Sequence, residues 1–186
     1  MKKVIENKLK SSALTELDKI FLYFLTYSFL GWILESLYAI YNLGHFVKRG
    51  FLLGPVCPIY GCGAIILILF LSKYKKNSFK LFVVSGILLS FFEYLVSFAM
   101  DALFAAKWWD YTNEFFNLNG RISIFYAFVW GIGAILFVNH IHPFVEKRVK
   151  KIFNRFPFNW QILFIYGVLF VLFIDIVSSV VINFKV

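Results

Sequence analysis

Long apolar runs separated by short polar links dominate the sequence. There are five runs, at about residues 20–41, 56–72, 81–104, 122–141 and 159–183. A helix needs about 20 apolar residues to cross a hydrocarbon core of roughly 30 Å, because its backbone groups must be hydrogen-bonded within the segment. The pattern predicts an all-α integral membrane protein: one transmembrane domain over residues 1–186, built as a bundle of five transmembrane helices.

Composition and charge agree with a multi-pass membrane protein. Only 16% of the residues are charged and 61% are hydrophobic, whereas about a quarter of a soluble domain is charged. Fourteen of the 19 lysines and arginines fall in the N-terminal lead and the second and fourth links. The positive-inside rule places these segments and the N-terminus in the cytoplasm, and the C-terminus outside. The basic residues form short clusters, so the lipid bilayer and not nucleic acid is the expected partner.

The approach to the second run is apolar but rich in helix breakers. Residues 50–61 hold three glycines and two prolines. Two interpretations remain open: an extended lead-in, or a re-entrant segment of the kind tolerated at membrane depth when it is buried in protein or lines a cavity. Cys57 and Cys62 lie here and are expected to be unconnected core residues.

Three carboxylates interrupt the apolar runs. At 1.5 Å per residue from the cytoplasmic start of each span, Glu93 lies about 18 Å deep, Glu35 about 22 Å and Asp175 about 24 Å. Insertion scales assign about 2.5–3.5 kcal/mol to an ionised carboxylate at a helix centre, so such groups face a bundle interior, pair with a cation or stay protonated. Glu93 belongs to a polar stripe at steps of three and four residues: Gly86, Ser90, Glu93, Ser97 and Asp101. Such stripes occur at ordinary helix contacts and also at functional cavities.

Two arginines are candidate partners for these acids. Arg121 follows the turn signal Asn119-Gly120 and can fold back into the bundle, and Arg49 precedes Gly50 in the first link. Arginine binds carboxylate or phosphate with two parallel hydrogen bonds. An ion-pair network that holds the loops and an outward-facing anion site are both consistent with the pattern.

The candidate binding or ion-network residues cluster in and beside the first and third links. They are Glu35, Arg49, Glu93, Asp101, Asp110, Asn117, Asn119 and Arg121, followed by Asp175, His45, Lys48 and the interface anchors Trp108 and Trp109. His140 and His142 are expected at the cytoplasmic end of the fourth span, with no carboxylate evident beside them. No metal or cofactor is expected. The sequence carries no nucleotide-binding motif, so ATP hydrolysis would require a separate subunit.

Several of these stretches together resemble the bacterial ABC-transporter type IV, or CmpB-like, membrane family. They cover most of residues 29–144 and read FLGWILES at 29–36, RGFLLGP at 49–55, CPIYG at 57–61, WWDY at 108–111, NLNGR at 117–121 and HPF at 142–144. The resemblance implies a bacterial cytoplasmic-membrane protein of the permease class. It assigns no catalytic or substrate residues, and it leaves the fifth span outside.

Three functions are compatible with the sequence. The leading hypothesis is a membrane component of a transport system with an outward-facing polar cavity for a small polar or charged solute, working with a partner ATPase, another membrane subunit or further copies of itself. The second is an intramembrane enzyme acting on a lipid-linked or envelope substrate at the outer leaflet, with a carboxylate as acid or base and an arginine on a phosphate. The third is a non-catalytic assembly subunit.

Overall fold

The computed structural model describes residues 14–184 and is helical apart from one short hairpin. The helices are α1 (Glu16–Leu43), α2 (Pro58–Ile66), α3 (Ser78–Phe104), α4 (Ile124–Leu136), α5 (His142–Phe153) and α6 (Phe158–Asn183). A π-helical turn and a 3₁₀ turn, Leu67–Leu71 and Ser72–Tyr74, prolong α2, and a second π-helical turn, Phe137–Ile141, joins α4 to α5.

The predicted helical membrane class is confirmed by four helices that are long and apolar enough to cross a bilayer. They are Glu16–Leu43, Ser78–Phe104, Ile124–Phe153 and Phe158–Asn183. The predicted second span is a shorter apolar helix, Pro58–Tyr74. All five apolar runs of the sequence are therefore helices, and the second is the shortest.

The fourth helix does not end near residue 141 as the sequence suggested. It continues through Pro143 to Phe153, so His142 lies inside a continuous helix. Proline normally breaks a helix because it has no N–H to donate. Here the π-helical turn precedes the proline, and the His142 N–H reaches back to the Phe137 carbonyl. The wider turn changes the hydrogen-bond register just before the proline.

Two antiparallel helix pairs, α1 with α2 and α3 with α4, form the bundle. Glycine makes both close approaches possible. A Cβ on Gly61 would lie 2.1 Å from Ser28 Oγ, and one on Gly131 would lie 2.6 Å from the Phe82 ring. Small residues allow helix backbones to approach closely in lipid, where packing replaces the hydrophobic effect as the main attraction.

The two pairs meet through their π-helical turns. Leu67 and Leu71 pack with Leu81 of α3 and Val138 in one core cluster. A second cluster joins α1 and α2 and has Phe137 against it. Each π-helical turn therefore helps to hold the two pairs together.

In each helix pair, the link between the two helices folds back along the first helix of the pair. The Cys57 N–H donates to the Ser28 carbonyl at 3.0 Å, and Ser28 lies 15 residues before the end of α1. That distance is about 22 Å along the helix. The third link, between α3 and α4, forms an antiparallel hairpin, β1 (Asn117–Leu118) with β2 (Ile122–Ser123), before α4 begins. We call the end of the bundle where α1 and α3 finish the hairpin end, and the opposite end the basic end.

Candidate functional site

Glu93 is the most buried acid of the polar stripe, with 6% of its surface exposed. The Tyr111 hydroxyl donates to one carboxylate oxygen and the Trp130 indole N–H to the other, both at 2.9 Å. These donors come from the third link and from α4, so one carboxylate joins three elements. Both donors are neutral.

Glu35 is held in the same way in the first helix pair. The Tyr60 hydroxyl donates to its Oε1 at 2.5 Å, and Tyr60 itself packs over Gly31, where a Cβ would lie 2.3 Å from the ring. The three ion pairs in the described part of the chain are Lys19–Glu16, Arg121–Asp101 and Lys150–Glu146. Neither Glu35 nor Glu93 belongs to one of them.

Tyr111, the phenol that binds Glu93, lies in surroundings that favour its protonated form. Burial, followed by the charge of Glu93 and the hydrogen bond to it, raises the pKa of Tyr111. Tyr111 therefore stays protonated and remains a donor.

Arg121 pairs with Asp101, and this answers the question that the sequence left open about its partner. Its Nη2 lies 2.5 Å from Asp101 Oδ2, and its Nη1 donates to the carbonyl and hydroxyl of Ser97 at 3.0 and 3.1 Å. Arg121 stands one to two turns of α3 beyond Glu93, at the level of Ser97 and Asp101. The ion pair connects the hairpin to α3. Glu35 and Glu93 accept hydrogen bonds from neutral donors instead of from Arg121.

Asp175 contacts the first link. Its two oxygens accept from the backbone N–H groups of Leu53 and Gly54 at 2.8 and 3.0 Å, and Oδ1 also accepts from Ser179 Oγ. A Cβ on Gly54 would lie 2.9 Å from the carboxylate. Asp175 thus tethers the irregular link to α6.

The two helix pairs are copies of one pattern, which the sequence analysis missed. Residues 61–65 read GCGAI and residues 131–135 read GIGAI, 70 positions later. At the same spacing, Gly50 and Gly120 both adopt positive φ, Tyr60 and Trp130 both hold a glutamate, and the two π-helical turns begin at Leu67 and Phe137. Sequence, backbone and contacts therefore repeat together.

The first helices of the pairs repeat with a spacing of 58. Phe24 and Phe82 pack on the equivalent glycines Gly61 and Gly131, and Glu35 corresponds to Glu93. Both first helices run from the basic end to the hairpin end, so the halves are parallel repeats. The short GxGAI motif preceded by an aromatic residue is the signal that could have shown the repeat from sequence.

A comparison with known protein families identifies the family of the chain. Residues 22–180 match the family described as "Putative ABC-transporter type IV". The chain belongs to this CmpB-like family. The match reaches further than the stretches recognised in the sequence and includes Asp175 of α6. No curated protein and no solved structure is similar to the chain. The family and the four long apolar helices together make this a membrane protein associated with ABC transport.

In this CmpB-like chain, the remaining polar residues of the third link order the link itself. Asn117 donates to the carbonyls of Thr112 and Glu114 and accepts from the Gly120 N–H. Asn119 donates to the Tyr94 hydroxyl, and Trp109 donates to the Arg121 carbonyl at 2.9 Å. Trp108 contacts Phe51 edge-on. These side chains position Tyr111 and Arg121.

Asp110 predicts a pH dependence of this link. The Thr112 hydroxyl and backbone N–H, with a smaller contribution from Lys107, lower the pKa of the Asp110 carboxyl. A lowered pKa contributes stability above the unfolded value of about 3.9, and this stability is lost as pH falls through the folded value. We expect the fluorescence of Trp108 and Trp109 to be steady from neutral pH to about pH 4 and to change below it. An Asp110→Asn variant should lack that part of the change, and an identical titration would contradict the assignment.

The first link contributes basic residues without an acidic partner in the described residues. His45 is exposed and contacts the Leu43 carbonyl, and Lys48 is exposed. Arg49 is half-buried, and its Nε is buried without a hydrogen-bond partner in residues 14–184. Arg49 does not pair with Glu35 or Glu93.

A second polar cluster lies toward the basic end and corrects the expectation for His142. The Tyr27 hydroxyl lies 2.8 Å from His142 Nδ1, and the Tyr23 hydroxyl donates to Glu146 at 3.4 Å. Glu146 is one helical turn after His142, so a carboxylate does stand nearby. The sequence concealed it because α5 was not recognised as a continuation of the fourth helix.

Proposed function

We propose that this protein is a membrane component of a transport system whose Glu35 and Glu93 bind a small cationic solute between the two repeats. One observation carries the proposal: two carboxylates in equivalent positions of parallel repeats are each held by neutral aromatic donors, and no Lys or Arg within residues 14–184 is paired to them. Neutral donors orient a carboxylate without cancelling its charge. Repeat interfaces are where many transporters bind their substrates.

The ion pair at the hairpin end supports a cationic over an anionic solute. The sequence allowed Arg121 to serve as an anion-binding group, but Asp101 already neutralises it. Arg49 stays a candidate for contact with solute at the first link. When ionised, Glu35 and Glu93 give the region between the repeats an excess of negative charge, and this favours a positively charged or hydrogen-bond-donating solute.

The distribution of lysines and arginines is the basis for the proposed orientation in the membrane. We propose a multi-pass protein of the bacterial cytoplasmic membrane, with the basic end in the cytoplasm and the hairpin end outside, because most lysines and arginines of residues 14–184 lie at the basic end. The shorter helix Pro58–Tyr74 would be the second of five spans. With no nucleotide-binding motif in this sequence, a separate ATPase, another membrane subunit or a second copy would complete the transporter.

Thermal stabilisation of the purified protein by small cations tests the proposal. A panel of alkali-metal ions, quaternary amines and polyamines is added to protein in detergent, and the unfolding temperature is measured. A ligand at a hundred times its Kd stabilises the folded state by about 2.7 kcal/mol. We expect at least one cation to raise the unfolding temperature, and Glu35→Gln and Glu93→Gln to abolish the rise.

The control is Glu114→Gln, which removes an exposed acid of the third link, where Tyr111 also lies. It should respond as the wild type does. Equal responses in the two site variants, or stabilisation by anions alone, would contradict a cation site. Turnover of a lipid-linked substrate that both site variants lose would instead favour an enzyme.

A further inference from the structure

A lateral cavity of about 270 Å³ lies in the second repeat, beside but outside the carboxylate region. Ser90 of α3 and Ala127 of α4 line its inner part, and its walls are the apolar side chains of Phe116, Leu118, Ile122 and Ile124. Phe116, Leu118 and Ile124 are each more than half exposed. The cavity therefore opens sideways, under the hairpin.

The first repeat has larger side chains at two of the equivalent positions. The residue equivalent to Ser90, 58 positions earlier, is Trp32, and the residue equivalent to Ala127, 70 positions earlier, is Cys57. Trp32 packs against Phe29 and against Phe46 of the first link. The second repeat has a serine where the first has a tryptophan, and its link covers an open volume instead of an indole.

The inner wall of the cavity carries one free hydrogen-bonding group. Ser90 is 7% exposed, and its hydroxyl has no partner in residues 14–184. The other serine, Ser123, already caps α4 by accepting from the Tyr126 N–H. A buried hydroxyl without a partner is unfavourable, because it has lost its hydrogen bonds to water. A ligand with a carbonyl oxygen on an apolar body would satisfy it.

The surroundings determine what kind of ligand can enter. The cavity opens between helices apolar enough to cross a membrane, and Ser90 lies about three turns of α3 before Asp101 of the Arg121–Asp101 pair. An apolar opening that faces the hydrocarbon core is filled by apolar chains, because no water is present there. A phospholipid in the surrounding bilayer brings an acyl chain and, at the chain's polar end, an ester carbonyl.

We propose that this cavity binds one membrane phospholipid, with the Ser90 hydroxyl donating to an ester carbonyl and the attached acyl chain lying against Leu118, Ile122 and Ile124. This site is independent of the proposed solute site. It would make the second repeat, but not the first, a lipid-binding half.

Native mass spectrometry with two chain-matched lipids tests the proposal. The purified protein is titrated in detergent with a diester phosphatidylcholine or with its diether analogue, which lacks the carbonyl; a zwitterionic headgroup limits binding to the basic end. Wild-type protein should retain one diester lipid and lose the diether lipid more easily. Ser90→Ala should abolish this difference, and Ser90→Trp, which copies the first repeat, should lose both lipids.

Ile132→Trp is the matched control, because it adds the same indole to an exposed position of α4 that does not line the cavity. It should bind lipid as the wild type does. Ala127→Leu fills the cavity from the other helix and serves if Ser90→Trp fails to fold. Unchanged lipid retention in the filled variants would overturn the site, and equal retention of diester and diether by wild type would overturn the Ser90 contact.

Discussion

Replacing Gly61 by alanine is expected to destabilise the protein by about 3 kcal/mol, at the upper end of the range for overpacking a well-packed core. The added Cβ would lie 2.1 Å from Ser28 Oγ and 2.7 Å from the Phe24 carbonyl. The serine can rotate away, but the carbonyl belongs to the backbone of α1. The α1–α2 pair must therefore separate, and the Tyr60 hydrogen bond to Glu35 should be strained with it.

The chain supplies its own control two residues away. A Cβ on Gly63 meets only Leu89 Cδ2 at 3.9 Å, which is an ordinary contact. Gly63→Ala should leave the free energy of unfolding unchanged or raise it by about 1 kcal/mol, since alanine favours a helix over glycine. Equilibrium unfolding in mixed detergent micelles measures both variants. Equal stabilities for the two would contradict the close approach at Gly61.

The second repeat offers the same comparison. A Cβ on Gly131 would lie 2.6 Å from the Phe82 ring and 3.0 Å from its carbonyl, whereas Gly133 has no such neighbour within 4 Å. Gly131→Ala should destabilise and Gly133→Ala should not. Since a ring can move more easily than a carbonyl, the effect at Gly131 should be smaller than that at Gly61.

The helices were predictable because hydrophobicity alone determines them, whereas their pairing was not. Apolar runs of about 20 residues indicate membrane helices whatever packs beside them. Single residues changed the details: Pro143 indicated an end to the fourth helix, but a π-helical turn before it allows the helix to continue. Hydrophobicity does not report such a change of hydrogen-bond register.

The candidate acids could be identified from the sequence, because an ionised carboxylate in an apolar helix is energetically unfavourable. Their hydrogen-bond donors could be identified only from the structure. Glu35 and Glu93 were recognisable as carboxylates in apolar runs, but nothing in their spacing indicated Tyr60, Tyr111 or Trp130 as donors. Aromatic residues make up 22% of the chain, so single ones carry little information. The 70-residue repeat was the available signal, because it places Tyr60 and Trp130 in equivalent positions before the same glycine.

Asp175 was given less weight than the two glutamates, yet its removal should have a large structural effect. It accepts the backbone N–H groups of Leu53 and Gly54 and so connects the first link to α6. We expect Asp175→Ala to destabilise the protein by about 2 kcal/mol, because two backbone donors and the Ser179 hydroxyl lose a charged acceptor, some of it regained from water. The first link should also become open to proteases, as limited proteolysis within residues 44–57 would show.

Two further variants test whether the effect comes from the hydrogen bonds of Asp175 to the first link or from the loss of any polar side chain on α6. Ser178→Ala removes a hydroxyl one helical turn from Asp175 that makes no hydrogen bond to the first link. This variant should be cleaved by the protease at the same rate as the wild type. Gly54→Ala leaves Asp175 intact but places a Cβ 2.9 Å from its carboxylate, so it should expose the link as Asp175→Ala does. Wild-type protection in both Asp175→Ala and Gly54→Ala would show that other contacts hold the link. If both variants open it, the first link depends on one carboxylate of α6, because an irregular backbone needs acceptors that a neighbouring helix must provide.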